Sequence, residues 1–351
     1  MRKTMLMIVA LGLAMPAAHA AGVFDWLKAP HVGGPKEKAP ADAAELLTLE
    51  PHQTEMYPKP SPNGRFLLTV VHDRKKTWIS RRYAENGDPA NRITEDARAF
   101  DSAAWKDAGH VYFFSERAGG LGLWEKISDG EGMLRRVAAL HGRLTQPVLL
   151  PDGAVIAVRL QPVGGEKLAS RRHHRTDGFD NWSFPGFRAE IVRVEKNGSE
   201  RVLSEGVNPA LSPDGKWIAF SMPVGRSIHL FRMHPDGSEL IQVTSARSVD
   251  VQPSWSTDGK WLLFTSNRAH ADLRRRGKSD WDIWAIDTTG RNLIQVTYDE
   301  DRDGAARMGK NGRVYFHSDR SVSKKMREKH QVKGSTSGFH IWTIAWPEQA
   351  R

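Results

Sequence analysis

The chain has 351 residues, with 51 Lys+Arg against 41 Asp+Glu, a formal net charge of +10 and no cysteine. A chain of this length can bury a large core, and without cysteine it has neither a disulfide framework nor a lipid-modified cysteine. The cationic excess favours anionic partners such as phosphate, glycan, lipid headgroups or acidic protein, without choosing among them.

At the N-terminus, Arg2-Lys3 precedes an apolar stretch over 5–15, and Ala18-His19-Ala20 has the small-x-small form of a cleavage site. This reads as a signal peptide over 1–20, cleaved after Ala20, and predicts export with the periplasm as the expected compartment. The apolar stretch is too short to span a bilayer. Losing Arg2 and Lys3 leaves a mature charge of about +8. Residues 21–44, with Pro30, Gly33, Gly34, Pro35 and Pro40, read as a flexible linker.

From residue 45 the chain repeats. Gly64, Gly109, Gly153, Gly215, Gly259 and Gly312 each close the first hairpin of a unit. Asn-Gly or Asp-Gly at five of them is a tight-turn signal, because such a turn needs φ > 0; Lys106 to Gly109 is the weaker copy. Pro58, Pro147, Pro209 and Pro253 stand six residues before the glycine in four copies, and are expected at strand starts, where no N–H is needed. Second strands follow the turns at 66–71, 111–114 and 314–317, and third strands lie at 123–127, 191–194, 228–231, 283–286 and 341–344. Fourth strands lie at 240–244 and 293–297. The pattern predicts an all-β, six-bladed propeller of four-stranded antiparallel blades over 45–347, with 348–351 as a tail. The last copy stops after its third strand, so the run at 46–50 is expected to supply the fourth and close the ring.

Residues 253–268 read Pro-x-Trp-Ser-x-Asp-Gly-Lys-Trp-Leu-x-Phe-x-Ser-x-Arg, with Asp282-Ile283-Trp284 after them. Residues 208–221 repeat the first part, and Ser115-Glu116-Arg117 and Ser318-Asp319-Arg320 repeat the Ser-x-Arg step. This pattern resembles the propeller repeats of TolB-like proteins over roughly 46–346. Similar repeats occur in oligogalacturonate-lyase-like enzymes and in the propellers of prolyl-oligopeptidase-type peptidases. The resemblance implies the fold, and a binding role such as that of TolB toward the lipoprotein Pal. The stretch before the first strand has no space for the N-terminal α/β domain of TolB, so the TolA contact of that region is not expected. No Gly-x-Ser-x-Gly follows the repeats, so no peptidase domain is expected.

Strand alternation places three long insertions on one face of the ring, and all are basic. They carry Arg171, Arg172, His173, His174 and Arg175; Arg274, Arg275, Arg276 and Lys278; and Lys324, Lys325, Arg327, Lys329 and His330. Arg74, Lys75 and Lys76 lie on the corresponding first-copy loop. Together they predict a positive face that attracts an anionic partner. Gln146, Asn208 and Gln252, with Tyr57, Ser102 and Ala305 in the other copies, are expected to line the central channel, where they would hold water or a small ligand. Asp299, Asp301 and Asp303 match half of a calcium loop, though Lys310 replaces the Glu that would complete it; no other cofactor is expected. Seven repeat tryptophans read as blade core. Trp182, in an insertion, reads as either a partner-binding aromatic or a residue of a loop folded over its own blade.

The leading expectation is a monomeric, non-enzymatic periplasmic propeller that binds an envelope protein such as a Pal-like lipoprotein, or an anionic glycan, and no nucleic acid. The alternatives are a lyase-like enzyme on acidic polysaccharide, which would need converging histidines, and a small-ligand sensor using the channel.

Overall fold

The computed structural model describes residues 42–73, 76–94, 103–164, 177–271 and 280–348. The signal peptide, most of the linker, Arg74, Lys75, Ser102, Arg171 to Arg175 and Arg274 to Lys278 lie outside them. Six four-stranded antiparallel sheets form the six blades. Five run in simple sequence order from the axis outward. Their inner strands are Gln53–Pro60, Ala103–Trp105, Leu144–Leu149, Val207–Leu211 and Asp250–Trp255. The sixth blade has Asp303–Met308 innermost and takes its outermost strand, Glu45–Leu46, from the N-terminal end of the described chain. Glu45 pairs with Thr343 and Leu46 with Trp342, so the closure expected from the truncated last repeat is present.

The hairpin turns follow from their residues. At Gly64, Gly153, Gly215, Gly259 and Gly312 φ lies between 72° and 85°, a region that glycine enters without a Cβ clash. The serine three residues before Gly64, Gly215 and Gly259 fixes the turn. Ser212 Oγ lies 2.6 Å from Asp214 Oδ1 and accepts the Trp217 N–H, and Ser256 repeats both bonds with Asp258 and Trp261. Gly109, the weaker copy, is not among the positive-φ glycines.

One expectation needs correction. The four prolines sit inside the inner strands, not at their starts. Each lies in a β-bulge. In blade five, Val251 pairs with Thr265 and Ser254 with Leu263, so Gln252 and Pro253 together oppose one residue. Blades one, three, four and six shift register at the same place. The bulge leaves its residues out of the ladder, so a missing proline N–H costs no strand bond.

The apolar core lies around the axis and between blades. The largest cluster joins Met56, Ile156, Phe220, Val251 and Ala305 from five blades with Phe179 and Trp182 from an insertion. A second cluster packs Leu46 and Leu49 on Phe316, Trp342 and Ile344 at the closing blade.

Candidate functional site

The bulges set up the axial ring. The residue before each proline, and Ala305 in blade six, is non-glycine with positive φ: Tyr57 57°, Gln146 54°, Asn208 55°, Gln252 55° and Ala305 50°. Each such residue costs on the order of 1 kcal/mol of backbone strain unless its surroundings hold it. Here neighbouring blades do so. The Asn208 N–H donates to Gln146 Oε1 at 2.6 Å, the Gln252 N–H to Asn208 Oδ1 at 3.3 Å and the Ala305 N–H to Gln252 Oε1 at 2.7 Å. Every side chain in this relay accepts the bulge N–H of the next blade. Ala305 has no acceptor to offer blade one, and His317 Nδ1 takes its place, accepting the Tyr57 N–H at 3.1 Å. The relay thus runs from blade three through blade six to blade one.

The same amides hold a plug. The insertion of blade three returns as residues 177–187 and crosses the mouth of the ring. Gln146 Nε2 donates to the Asn181 carbonyl at 2.8 Å. Asn208 Nδ2 and Gln252 Nε2 both donate to Asn181 Oδ1 at 3.0 Å, and Gln252 Nε2 also reaches the Phe179 carbonyl. The Tyr57 hydroxyl donates to the Gly178 carbonyl. Gln146, Asn208 and Gln252 thus lie together at the axis, with their polar groups bound to neighbouring blades and to the chain's own loop. Trp182 is 7% exposed and packs on Trp281, with ring centroids 5.1 Å apart. It is part of the plug at the axis, which neither reading from sequence placed there. Aromatic density over 179–187 was the available signal.

The Ser-x-Arg step builds a cation into the blades. The Arg268 guanidinium lies 4.8 Å from the Phe264 ring centre and 5.4 Å from that of Trp284, and donates to Asp250 Oδ2 at 2.7 Å. Arg320 repeats this over Phe316 and Trp342, with Asp303 in place of Asp250. In blade six the site is richer. Arg320 grips both oxygens of Asp42, at 2.7 and 2.8 Å, and also pairs with Asp299. Asp42 in turn accepts the Tyr298 and Ala44 N–H groups, so the start of the described chain is tied to the closing blade.

Asp42, Asp299 and Asp303 are the one group of three His, Asp or Glu side chains with ligand atoms within 4.8 Å of one another among the described residues. Asp301 lies outside that group. A guanidinium already stands among these carboxylates and neutralises part of their charge. Asp282 adds a fourth, 2% exposed, with Oδ2 accepting from Gln295 and Oδ1 without a hydrogen-bond partner. Burial, then repulsion from Asp303 and Asp299, pushes the Asp282 carboxyl up to about 8. Burial and Asp303, opposed by Arg320, push Asp299 to about 7. A carboxyl raised on folding contributes stability that is fully present below its unfolded value of 3.8 and is lost as pH rises through about 8. Asp282→Asn should therefore gain on the wild type with rising pH, reaching roughly 2–4 kcal/mol near pH 8.5, since each tenfold change in proton affinity is worth about 1.4 kcal/mol. Denaturant unfolding at about pH 5 and pH 8.5 checks this, and an equal difference at the two would refute it.

Of the three basic insertions, only that of blade six has its expected cationic run among the described residues. Lys324–Lys329 is a short helix capped by Ser323, whose Oγ accepts the Met326 N–H at 3.2 Å. Met326 turns inward with Val322 and Val332 against the closing-blade core, which leaves Lys324, Lys325 and Lys329 exposed. The Lys324 side chain is 84% exposed and lies 3.7 Å from Glu328. The described histidines do not converge: His317 is buried beneath the plug, His270 pairs with Asp280, and His340 Nε2 donates to the Thr336 carbonyl at 2.9 Å.

No family model matches the chain. The uncharacterized peptidase YuxL of Bacillus subtilis is 23% identical over 188 residues, which are 47% of this chain and 29% of that protein; the chain thus spans under a third of that relative. A structure assigned to TolB of Agrobacterium tumefaciens matches 84% of this chain and 91% of its own, with a TM-score of 0.52 and 15% identity. The chain has the TolB-type propeller fold. The oligogalacturonate lyase of Vibrio parahaemolyticus also matches, with a TM-score of 0.50 and 14% identity over 89% of this chain and 96% of its own. At such identities the likeness establishes the TolB-type fold and leaves the function to the site. No helix among the described residues is long and apolar enough to cross a membrane.

Proposed function

We propose that this TolB-type propeller is a non-enzymatic binding module of the cell envelope, which engages an envelope protein or anionic envelope component through the basic loops on the rim of its plugged face. The carrying observation is the plug. The axial mouth, where a small ligand or substrate would enter, is filled by Gly178, Phe179 and Asn181, and the ring amides are bound to them. Contact with a partner then falls to the rim, where Lys324, Lys325 and Lys329 stand exposed. Export to the periplasm belongs to the same proposal, supported by the sequence features of residues 1–20.

Reversing Lys324, Lys325 and Lys329 to Glu, together with Arg274, Arg275 and Arg276, should reduce capture of the bound envelope component at least about tenfold at low salt. The difference should shrink at high ionic strength, because exposed charges are screened beyond a Debye length of about 10 Å at 0.1 M. Retention from envelope extract by wild type and variant at two salt concentrations measures this. Equal retention would remove the basic rim from the interface. Metal-dependent release of unsaturated sugars from acidic polysaccharide would instead favour the lyase-like reading.

A further inference from the structure

Three of the four acceptors in the axial relay are amides, which do not titrate, and the fourth is the imidazole of His317. Because Nδ1 accepts the Tyr57 N–H, the neutral ring carries its hydrogen on Nε2. Nε2 is buried and has no hydrogen-bond acceptor. It lies where a Cβ on residue 304 would come within 2.6 Å, so Gly304 is needed for this approach. The ring meets Tyr57, Phe179 and Phe339 edge-on, with centroids 4.9, 5.6 and 5.2 Å apart, an arrangement in which an N–H can face an aromatic ring. His317 is thus fully buried, in contact with blade one, the plug and the third strand of blade six.

We propose that His317 is an acid-labile link in the axial relay, and that its protonation releases the blade-one inner strand and the plug before the remaining blades open. A proton on Nδ1 would point a second donor at the Tyr57 N–H and break this one of the bonds between blades six and one, beside the Glu55 N–H to Phe339 carbonyl bond at 2.7 Å. Tyr57 also holds the plug through the Gly178 carbonyl, so both contacts depend on one residue. The charged groups facing the ring oppose protonation. Arg302 stands over Phe179 and Phe339 at 5.1 and 4.7 Å, and Arg307 follows on the blade-six inner strand. Arg302 is itself bound to the carboxylates of Asp177 and Asp319. His340, on the strand after Phe339, is likewise lowered from its ordinary value by burial, partly offset by Thr336 and Glu55. On the plug, Phe179 and Asn181 carry no charge, and on blade five Gln252 is neutral. Burial, reinforced by Arg302 and Arg307, holds His317 well below its ordinary 6.5. A histidine depressed on folding contributes stability that is present above its unfolded value and is lost as pH falls toward its folded one.

Hydrogen exchange of the intact protein, corrected for intrinsic rates, tests this between about pH 7 and pH 5. Peptides over 53–60 and 177–187 should lose protection about tenfold, while one over 218–224 in blade four holds. His317→Asn keeps an acceptor near the Nδ1 position without the titration, and should abolish that differential loss. Equal loss in all three peptides, no loss, or the same loss in H317N would overturn the proposal. Should H317N fail to fold, NMR of histidine-labelled wild type decides. An Nε2–H tautomer titrating well below 6.5, in step with loss of protection at 53–60, supports the link. A midpoint near 6.5 with the plug still protected overturns it.

Discussion

Arg320→Met should lower the free energy of unfolding by about 3–5 kcal/mol, the usual cost of removing one partner from a buried ion pair. Arg320 is the cation in contact with Asp42, Asp299 and Asp303, and all three lose it together. The methionine retains part of the packing over Phe316 and Trp342, so the loss reports charge more than volume. Without the guanidinium the carboxylates must stay protonated to remain buried, and the penalty should therefore grow as pH rises from about 5 to 8. The same change frees Asp42, so the strand Glu45–Leu46 should lose exchange protection first. Chemical unfolding at both pH values measures the effect. A loss under about 1 kcal/mol, or one independent of pH, would show that the acidic group is neutralised some other way.

Phe179→Ala should cost a further class of energy, about 3–5 kcal/mol, because it leaves a cavity at the axis. Phe179 is buried, stacks on Phe339 with an interplanar angle of 7°, and meets Trp182, Trp281 and His317 edge-on. Its carbonyl also accepts from Gln252. The plug should loosen while the blades persist, so calorimetric destabilisation should come with new protease cleavage within 177–187. A variant that resists both heat and protease as the wild type does would mean that the blades hold the ring without the plug.

The repeat period, the turn glycines and the short last copy were legible because each is local. A turn that needs φ > 0 selects glycine, and a blade lacking its outer strand demands one from elsewhere. The prolines were misplaced because a bulge cannot be seen in one strand alone; it exists in the register between two. Gln146, Asn208 and Gln252 were recognisable as equivalent, yet their roles were not. An amide that accepts a backbone N–H from the next blade looks in sequence like an amide awaiting a ligand. His317 was more opaque still, since it compensates for the missing side chain at Ala305 from a different strand. The Asp303–Arg320 pair could have been found from its double, Asp250–Arg268, whose members stand at the same repeat positions. Asp42 and Asp282 could not, because they reach Arg320 and Asp303 from outside the local repeat.

The strand that closes the ring has a consequence for how the chain reaches its native state. The Ile341 N–H donates to the Thr48 hydroxyl, joining residues 293 apart in sequence. Bringing such distant segments together carries a loop-closure entropy that grows with the logarithm of the separation, and no contact repays it until both have arrived. The blades themselves are hairpins of near neighbours and can form early, one beside another. Ring closure must come last, and high-separation contacts of this kind slow folding. Until then the edge of blade six, with its unpaired backbone groups, stands open to any extended chain nearby.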